Sequence, residues 1–203
     1  MKSTKVLTQE KKEEKIINIF DLDGCSMKQV FPNTITEVSP AKMISKLQDI
    51  TLFPAFLRYY LLSSRKTIAN IFITGRRKSN YERITKDQLR PAKAIKSYEI
   101  RYFNEDLKYT DYHFFKATKI LFTIAKYTSQ YPNAIIKIFD DDTTYYKTII
   151  ASLSLLKEPE RHNIVFYEIT SNEDWKHIQE NIVSFFGIKE ESFSQLLNKR
   201  HEN

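Results

Sequence analysis

The sequence predicts an α/β fold: a doubly wound, mainly parallel, Rossmann-like sheet with helices on both faces. Short continuous apolar runs, such as those at 16–20 and 68–73, are typical of strands that are buried on both faces. Stretches of helical length separate these runs, as in the crossovers that join parallel strands. With 203 residues, we expect a single domain over 16–203 after a flexible charged tail at 1–15.

The predicted elements follow one another in a regular order. After the strand at 16–20, Ser39 supplies an N-cap and Pro40 a first helical position, and a second helix follows over 53–65. The next strand is the run at 68–73. The remaining elements, in chain order, are a helix near 79–90 that is stopped by Pro91, a strand at 98–103, a helix over 111–130, a strand at 134–139, a helix over 143–156, a strand at 163–169 and helices to the end.

Composition excludes several classes of protein. No apolar run approaches the roughly 20 residues that a transmembrane helix needs, and the N-terminal stretch lacks the apolar centre of a secretory signal. The single cysteine, Cys25, permits neither an intramolecular disulfide nor a cysteine-ligated metal site. We therefore expect a protein of a reducing, cytoplasmic compartment without a membrane partner. The sequence predicts no oligomeric state.

Charge favours a polyanionic partner. The chain carries a net charge of +7, and residues 76–101 hold nine basic residues against three acidic ones. Such an excess attracts nucleic acids and phosphorylated ligands over a long range.

Polar residues follow three of the predicted strands, at the sheet edge where ligands bind in folds of this kind. They are Asp21-Leu22-Asp23-Gly24 after the first strand, Thr74-Gly75-Arg76 after the second, and Asp140-Asp141-Asp142 after the strand at 134–139. Two aspartates two positions apart, followed by a glycine, place one carboxylate as a fixed nucleophile with the other beside it. A simple strand-ending turn is the alternative interpretation of that motif.

The acidic triplet predicts a magnesium site. Several carboxylates at one strand edge repel one another unless a cation is present, and Mg²⁺ prefers hard oxygen ligands. Acids at a helix N-terminus are the alternative, and they would explain Asp142 better than Asp140 or Asp141.

A hydroxyl and a lysine complete the expected chemistry. Thr74, with the adjacent amide of Gly75, would hold phosphoryl oxygens, although an ordinary turn would use the same residues. A lysine is needed to offset the repulsion between a carboxylate and a phosphate. Lys116 is the best placed, and Lys119 lies one turn later on the same helix face.

In this order, the motifs DLDG, ITGR, Lys116 and IFDDD resemble the four motifs of the haloacid dehalogenase superfamily of phosphohydrolases, over about residues 16–150. The resemblance implies aspartyl-phosphate chemistry, with Asp21 as the nucleophile and Asp23 as the acid and base. Thr74 would hold the phosphoryl group and Lys116 would neutralise charge. Asp141, with Asp140, would hold Mg²⁺ together with Asp21 and the backbone carbonyl of Asp23.

Two positions depart from the family pattern: Cys25 where threonine or valine is usual, and Ala117 where proline is frequent. Neither departure removes a charged catalytic group. The stretches after the second motif are similar to the branch related to polynucleotide 3'-phosphatases and RNA-repair domains.

The intervals between the motifs leave room only for a minimal cap, which implies an open site. We therefore expect the terminal phosphate of RNA or DNA as substrate, with Gly75, Arg76, Arg77 and Lys78 as its binding residues. The alternatives are a phosphatase of nucleotides or small metabolites, and a catalytically silent nucleic-acid-binding module. A phosphoacceptor receiver domain would need a lysine at the end of a late strand, whereas the candidate here begins a helix.

Overall fold

The computed structural model describes residues 15–29, 39–108, 111–142, 144, 149 and 163–178. They form one five-stranded sheet in which every adjacent pair of strands is parallel. The strands are β1 (Ile16–Asp21), β2 (Thr67–Arg77), β3 (Glu99–Phe103), β4 (Ile135–Asp140) and β5 (Ile164–Glu168). The helices are α1 (Pro40–Gln48), α2 (Pro54–Ser63), α3 (Lys78–Gln88), α4 (Arg90–Ile95) and α5 (Tyr112–Gln130), and residues 172–178 are also helical. Within these ranges, no helix has the length and apolar character that would let it span a membrane.

The strand order β3-β2-β1-β4-β5 confirms the doubly wound arrangement. The chain winds outward from β1 to β3 and then continues on the other side of β1 with β4 and β5. Where the order reverses, the crossovers leave in opposite directions and open a crevice at the carboxyl ends of the strands. Asp21 and Asp140 end the two strands that border this crevice.

Side chains that alternate along the strands enter two cores. On one face of the sheet, Ile17 and Ile19 pack with the buried side of α5. On the other face, Phe20, Phe72 and Phe139 pack with α2, and the ring centroid of Phe20 lies 5.3 Å from that of Phe72 and 5.1 Å from that of Phe139. Helices therefore cover both faces, as continuous apolar strands require.

Helix boundaries agree with the sequence prediction except at Pro91. The hydroxyl of Ser39 accepts a hydrogen bond from the backbone N–H of Lys42 at 3.5 Å, so α1 begins as predicted. Pro91 does not stop the preceding helix, because α3 already ends at Gln88. It lies instead in the first turn of α4, where its missing N–H costs no helical hydrogen bond.

The second strand also differs from its prediction. It was expected to end at residue 73, but β2 continues to Arg77, and its pairing with β3 shifts register between Ile73 and Arg77. The tripeptide 74–76 therefore forms an irregularity inside the strand and not a turn after it. The tail up to residue 14, most of the predicted helix over 143–156 and everything after residue 178 lie outside the described residues.

Candidate active site

Asp21 lies at the end of β1 with its side chain almost fully enclosed. Its carboxylate oxygen Oδ1 is 2.9 Å from Nζ of Lys116 and 3.5 Å from the hydroxyl of Tyr112. Its backbone carbonyl accepts a hydrogen bond from the Ser26 hydroxyl at 2.7 Å. Burial raises the pKa of Asp21 well above its usual range, and the ammonium of Lys116 opposes that rise. The carboxylate is thus held at a defined position in a poorly solvated site.

Asp140 and Asp141 meet Asp21 across the crevice. In the described part of the chain, these three form the one group whose potential metal-ligating atoms all lie within 4.8 Å of one another. Burial, followed by the charge of Asp140, raises the pKa of Asp141 to about 6. A cation placed among these oxygens would favour the ionised form of Asp141 and so offset the rise in its pKa that burial and the charge of Asp140 cause.

The residues present fit a small divalent ion. Ligands on opposite sides of Mg²⁺ are about 4.2 Å apart, so small side-chain rotations would bring these oxygens to coordinating distance. Gly24 leaves the space that this requires, since a Cβ at this position would lie 2.1 Å from Oδ2 of Asp141. The carboxylate of Asp141 therefore packs against the backbone of Gly24, in the space that a Cβ would occupy.

Asp142 does not join this group. Its Oδ1 accepts hydrogen bonds from the N–H and the hydroxyl of Thr144 at 2.9 and 2.6 Å, and its Oδ2 is 3.3 Å from Nδ1 of His113. Burial alone would raise the pKa of Asp142, but the bonds from Thr144 outweigh it and the pKa is lowered. Of the acidic triplet, Asp140 and Asp141 are the members that face Asp21.

Lys116 is the lysine that the structure brings to the carboxylates. It is 2% exposed, and its Nζ lies 2.7 Å from both oxygens of Asp140 in addition to its contact with Asp21. Nζ of Lys119, the alternative, lies over the ring of Phe115 at 5.5 Å from its centroid. Lys116 can therefore neutralise charge between the ends of β1 and β4, whereas Lys119 points elsewhere.

Thr74 and Gly75 lie in the irregular part of β2, beside β1. The hydroxyl oxygen of Thr74 accepts a hydrogen bond from the backbone N–H of Arg76 at 3.2 Å, and no acceptor for its proton is found among the described residues. A Cβ on Gly75 would lie 3.1 Å from the ring of Tyr112. Thr74 therefore has a hydroxyl proton to donate, and the neighbouring backbone of Gly75 is closely packed against Tyr112.

The three basic residues that follow occupy different environments. Arg76 is 1% exposed, and all of its guanidinium nitrogens are bonded inside the protein. Arg77 donates to the backbone carbonyls of Glu105 and Leu107, and the Lys78 side chain is exposed. Of these predicted substrate-binding residues, Lys78 is exposed, Gly75 and Arg77 are half-buried, and Arg76 is buried and bonded to other protein groups.

Asp23 lies apart from the cluster of three acids. Both of its carboxylate oxygens are bonded to Arg76, at 2.9 and 2.6 Å, and its side chain is 14% exposed. The side chain of Asp23 is therefore not part of the cluster of potential metal-ligating groups, and the contribution of its backbone carbonyl stays a prediction.

Sequence reasoning missed Tyr112 and Ser26, both of which contact Asp21. A signal for Tyr112 was available, because it lies four residues before Lys116 and so on the same helix face. Its ring lies 5.4 Å from Nζ of Lys116. Ser26 carried no comparable signal, since a serine after a glycine turn is common.

Comparison with known proteins is limited to distant structural similarity. No family model matches the chain, and no curated protein sequence matches it. Two crystal structures of the Legionella pneumophila effector Ceg4 are similar to it, one with an N-terminal yeast Hog1p sequence and one with an N-terminal TEV protease cleavage sequence. They are 13% and 12% identical, cover 85% of this chain and 96% and 95% of their own, and have TM-scores of 0.49 and 0.48.

Proposed function

We propose that this chain is a Mg²⁺-dependent phosphomonoester hydrolase of the haloacid dehalogenase type, in which Asp21 is the nucleophile. The observation that carries the proposal is the convergence of Asp21, Asp140 and Asp141 with the buried Lys116 at the ends of two adjacent strands. Asp21, Lys116 and the adjacent pair Asp140 and Asp141 are far apart in the sequence. Bringing two buried carboxylates and a half-buried one together is unfavourable unless positive charge offsets them; Lys116 supplies one such charge, and a bound cation would supply the rest.

The proposed reaction has two halves. An oxygen of Asp21 attacks phosphorus, the bond from phosphorus to the leaving oxygen breaks, and that oxygen takes a proton from Asp23. Water then attacks the aspartyl phosphate and gives a proton to Asp23, and the bond between phosphorus and Asp21 breaks. Inorganic phosphate and the free carboxylate of Asp21 are the products of this second half.

Two further residues support the transferred group. The Thr74 hydroxyl has a proton to donate to a phosphoryl oxygen, and the ammonium of Lys116 offsets the repulsion between Asp21 and the incoming phosphate. Asp21, Asp140 and Asp141 would hold Mg²⁺, with the backbone carbonyl of Asp23. When bound, the ion supplies positive charge that stabilises the phosphoryl oxygens.

The decisive experiment uses the variant Asp21→Asn. Wild-type protein should release phosphate from p-nitrophenyl phosphate with Mg²⁺ and lose this activity with EDTA. The variant should be inactive, because an amide is a poor nucleophile, and it should remain folded, because the substitution removes a costly buried charge. Asp49→Asn, an exposed aspartate at the end of α1, is the matched control and should keep full activity. Equal turnover by Asp21→Asn and wild type would refute the proposal.

For the substrate, we favour the terminal phosphate of RNA or DNA. A groove of about 840 Å³ runs beside β3 and is lined by Lys78, Lys86, Arg90 and Lys93, together with Tyr98 and Tyr102. Exposed cations beside aromatic rings suit a single strand, whose backbone is charged and whose bases stack.

A specific observation favours the alternative, a phosphatase of nucleotides or small metabolites. Much of the basic excess in residues 76–101 is already paired within the protein: Arg76 is buried against Asp23, Lys86 lies 2.6 Å from Glu82, and Arg90 lies 2.7 Å from Asp87. Internal pairs reduce the field that a polyanion would experience. Substrate preference between oligonucleotides and mononucleotides therefore has to be measured directly.

A further inference from the structure

One buried arginine holds the carboxylate that would transfer protons in the proposed reaction. Nε of Arg76 donates to Oδ2 of Asp23 at 2.9 Å, and Nη2 donates to Oδ1 at 2.6 Å. Two parallel bonds fix both the position and the rotation of a carboxylate. We propose that Arg76 is a positioning residue for Asp23, an inference that rests on the function proposed above.

The guanidinium is itself held in one orientation. Nη1 of Arg76 donates to the hydroxyl of Thr85 at 3.0 Å and to Oε1 of Gln88 at 2.6 Å, and both residues belong to α3. Nη2 also lies 3.3 Å from the sulfur of Met27. Arg76 and Thr85 are buried, so water does not compete for these bonds. The orientation of Asp23 is therefore set by α3 through Arg76.

The same network reaches the crossover between β1 and β2. Nε2 of Gln88 donates to the backbone carbonyl of Leu47 at 2.8 Å and to that of Ile50 at 2.9 Å, at the end of α1. Gln88 is thus fixed by three bonds and cannot turn without losing them. Asp23 is thus connected through Arg76 and Gln88 to α3, which follows β2 in the chain, and to the end of α1, which precedes it.

Stability alone is a poor explanation for this arrangement. Burying an arginine and its partner carries a large desolvation penalty, and apolar side chains of similar volume often stabilise a fold as well or better. The pair leaves the side chain of Asp23 partly exposed, while Arg76 is enclosed. Each carboxylate oxygen has a second lone pair, so the pairing leaves a site on Asp23 for the proton that the reaction moves.

Positioning matters most when the leaving oxygen needs a proton. Expulsion of an alkoxide requires Asp23 within hydrogen-bond distance of the oxygen as its bond to phosphorus breaks. Nitrophenolate is a weak base and leaves without that proton. A misplaced Asp23 should therefore slow transfer of the phosphoryl group to Asp21 from alkyl phosphates far more than from aryl phosphates, whereas general damage to the site would slow both transfers equally.

The test compares Arg76→Lys with wild type on glycerol phosphate and p-nitrophenyl phosphate, with Mg²⁺ present. Lysine keeps the charge but loses the two-bond geometry. The quantity compared is kcat/KM, because it reports only the steps up to departure of the leaving group and so excludes the later water attack, which Asp23 also assists. We expect kcat/KM for the alkyl substrate to fall about 100-fold, since general acid catalysis contributes roughly 10²- to 10⁴-fold, and kcat/KM for the aryl substrate to fall less than about tenfold.

The matched control is Arg65→Lys, an exposed arginine between α2 and β2, which should behave as wild type. If thermal denaturation shows that Arg76→Lys does not fold, Thr85→Val replaces it, because this variant removes one acceptor from Arg76 with little change of shape. Equal loss of kcat/KM on both substrates by a folded variant would overturn the positioning role. Absence of activity in wild type would instead overturn the proposed function, so the two failures are distinguishable.

Discussion

At the scale of single residues, Gly24 illustrates how one position controls the candidate metal site. It is the residue with positive φ in the described part of the chain, at 93°, and the carboxylate of Asp141 occupies the space where a Cβ would lie. The sequence identified Gly24 as a turn residue. That it also makes room for an acid from the end of β4 depends on packing between elements.

Gly24→Ala should weaken both folding and metal binding. The left-handed backbone conformation costs an L-residue roughly 1–2 kcal/mol, and the new methyl group must displace Asp141. We expect a lower melting temperature and loss of most Mg²⁺-dependent phosphatase activity, and Mg²⁺ should raise the melting temperature of the variant less than that of wild type.

Gly75→Ala provides the comparison for stability. Its added Cβ would meet the ring of Tyr112 at 3.1 Å, an edge that can shift by a few tenths of an ångström, and its φ is not positive. Its melting temperature should fall less than that of Gly24→Ala. A Gly24→Ala protein with wild-type melting temperature and Mg²⁺ response would contradict the proposed role of this glycine.

At the scale of elements, a polar ladder inside the sheet joins α2 to β1 and β2. Nδ2 of Asn18 donates to the hydroxyl of Thr67 at 3.1 Å and to Oδ1 of Asn70 at 3.0 Å, and its Oδ1 accepts from the hydroxyl of Tyr59 at 3.1 Å. Asn18 and Tyr59 are fully buried. The sequence showed Asn18 only as a polar residue within an apolar run, because its partners are 41 to 52 residues away.

Removal of the Tyr59 hydroxyl should leave the Asn18 carbonyl without its donor. Tyr59→Phe is therefore expected to lower the free energy of unfolding by about 1–3 kcal/mol, the cost of an unsatisfied buried polar group, as measured by urea denaturation. Tyr127→Phe is the matched control, because its hydroxyl bonds the exposed Glu99 and water can replace that bond. It should cost less than about 0.5 kcal/mol. If both substitutions lower the free energy of unfolding by the same amount, the hydrogen bond from Tyr59 to Asn18 adds nothing to stability.

At the scale of the whole molecule, the net charge of +7 overstates what is available to a polyanion. Sequence counting treated the basic residues of 76–101 as equivalent. The structure separates them into a buried cation at Arg76, cations paired with neighbouring acids, and exposed cations such as Lys93, for which no acidic partner is found among the described residues. Only the last group can be replaced without also breaking an ion pair within the protein.

Lys93→Glu should weaken binding of a 3'-phosphorylated single-stranded oligonucleotide and reduce the salt dependence of that binding. If Lys93 neutralises one phosphate, its replacement should reduce the slope of log affinity against log salt by about 0.7. Fluorescence anisotropy over a salt series measures both quantities, with Asp21→Asn as the common background to prevent hydrolysis. Hydrolysis of p-nitrophenyl phosphate by Lys93→Glu with Asp21 intact should be unchanged.

Arg65→Glu, which changes the net charge equally at an exposed position outside the basic segment, is the control. If both substitutions weaken binding to the same extent, the interaction reflects net charge and not the groove. If oligonucleotides compete no better than mononucleotides for the active site, the small-metabolite alternative is favoured.

The sequence by itself determined where each strand begins, the α/β class and the order of the candidate motifs, because apolar runs, capping residues and strand-ending acids are local signals. Tertiary structure alone decided which of these groups meet. It selected Lys116 over Lys119, separated Asp142 from Asp140 and Asp141, and directed Arg76 inward to Asp23. The physical reason is that contacts across a parallel sheet depend on strand order and register. Neither can be inferred from the local sequence around residues that lie tens of positions apart.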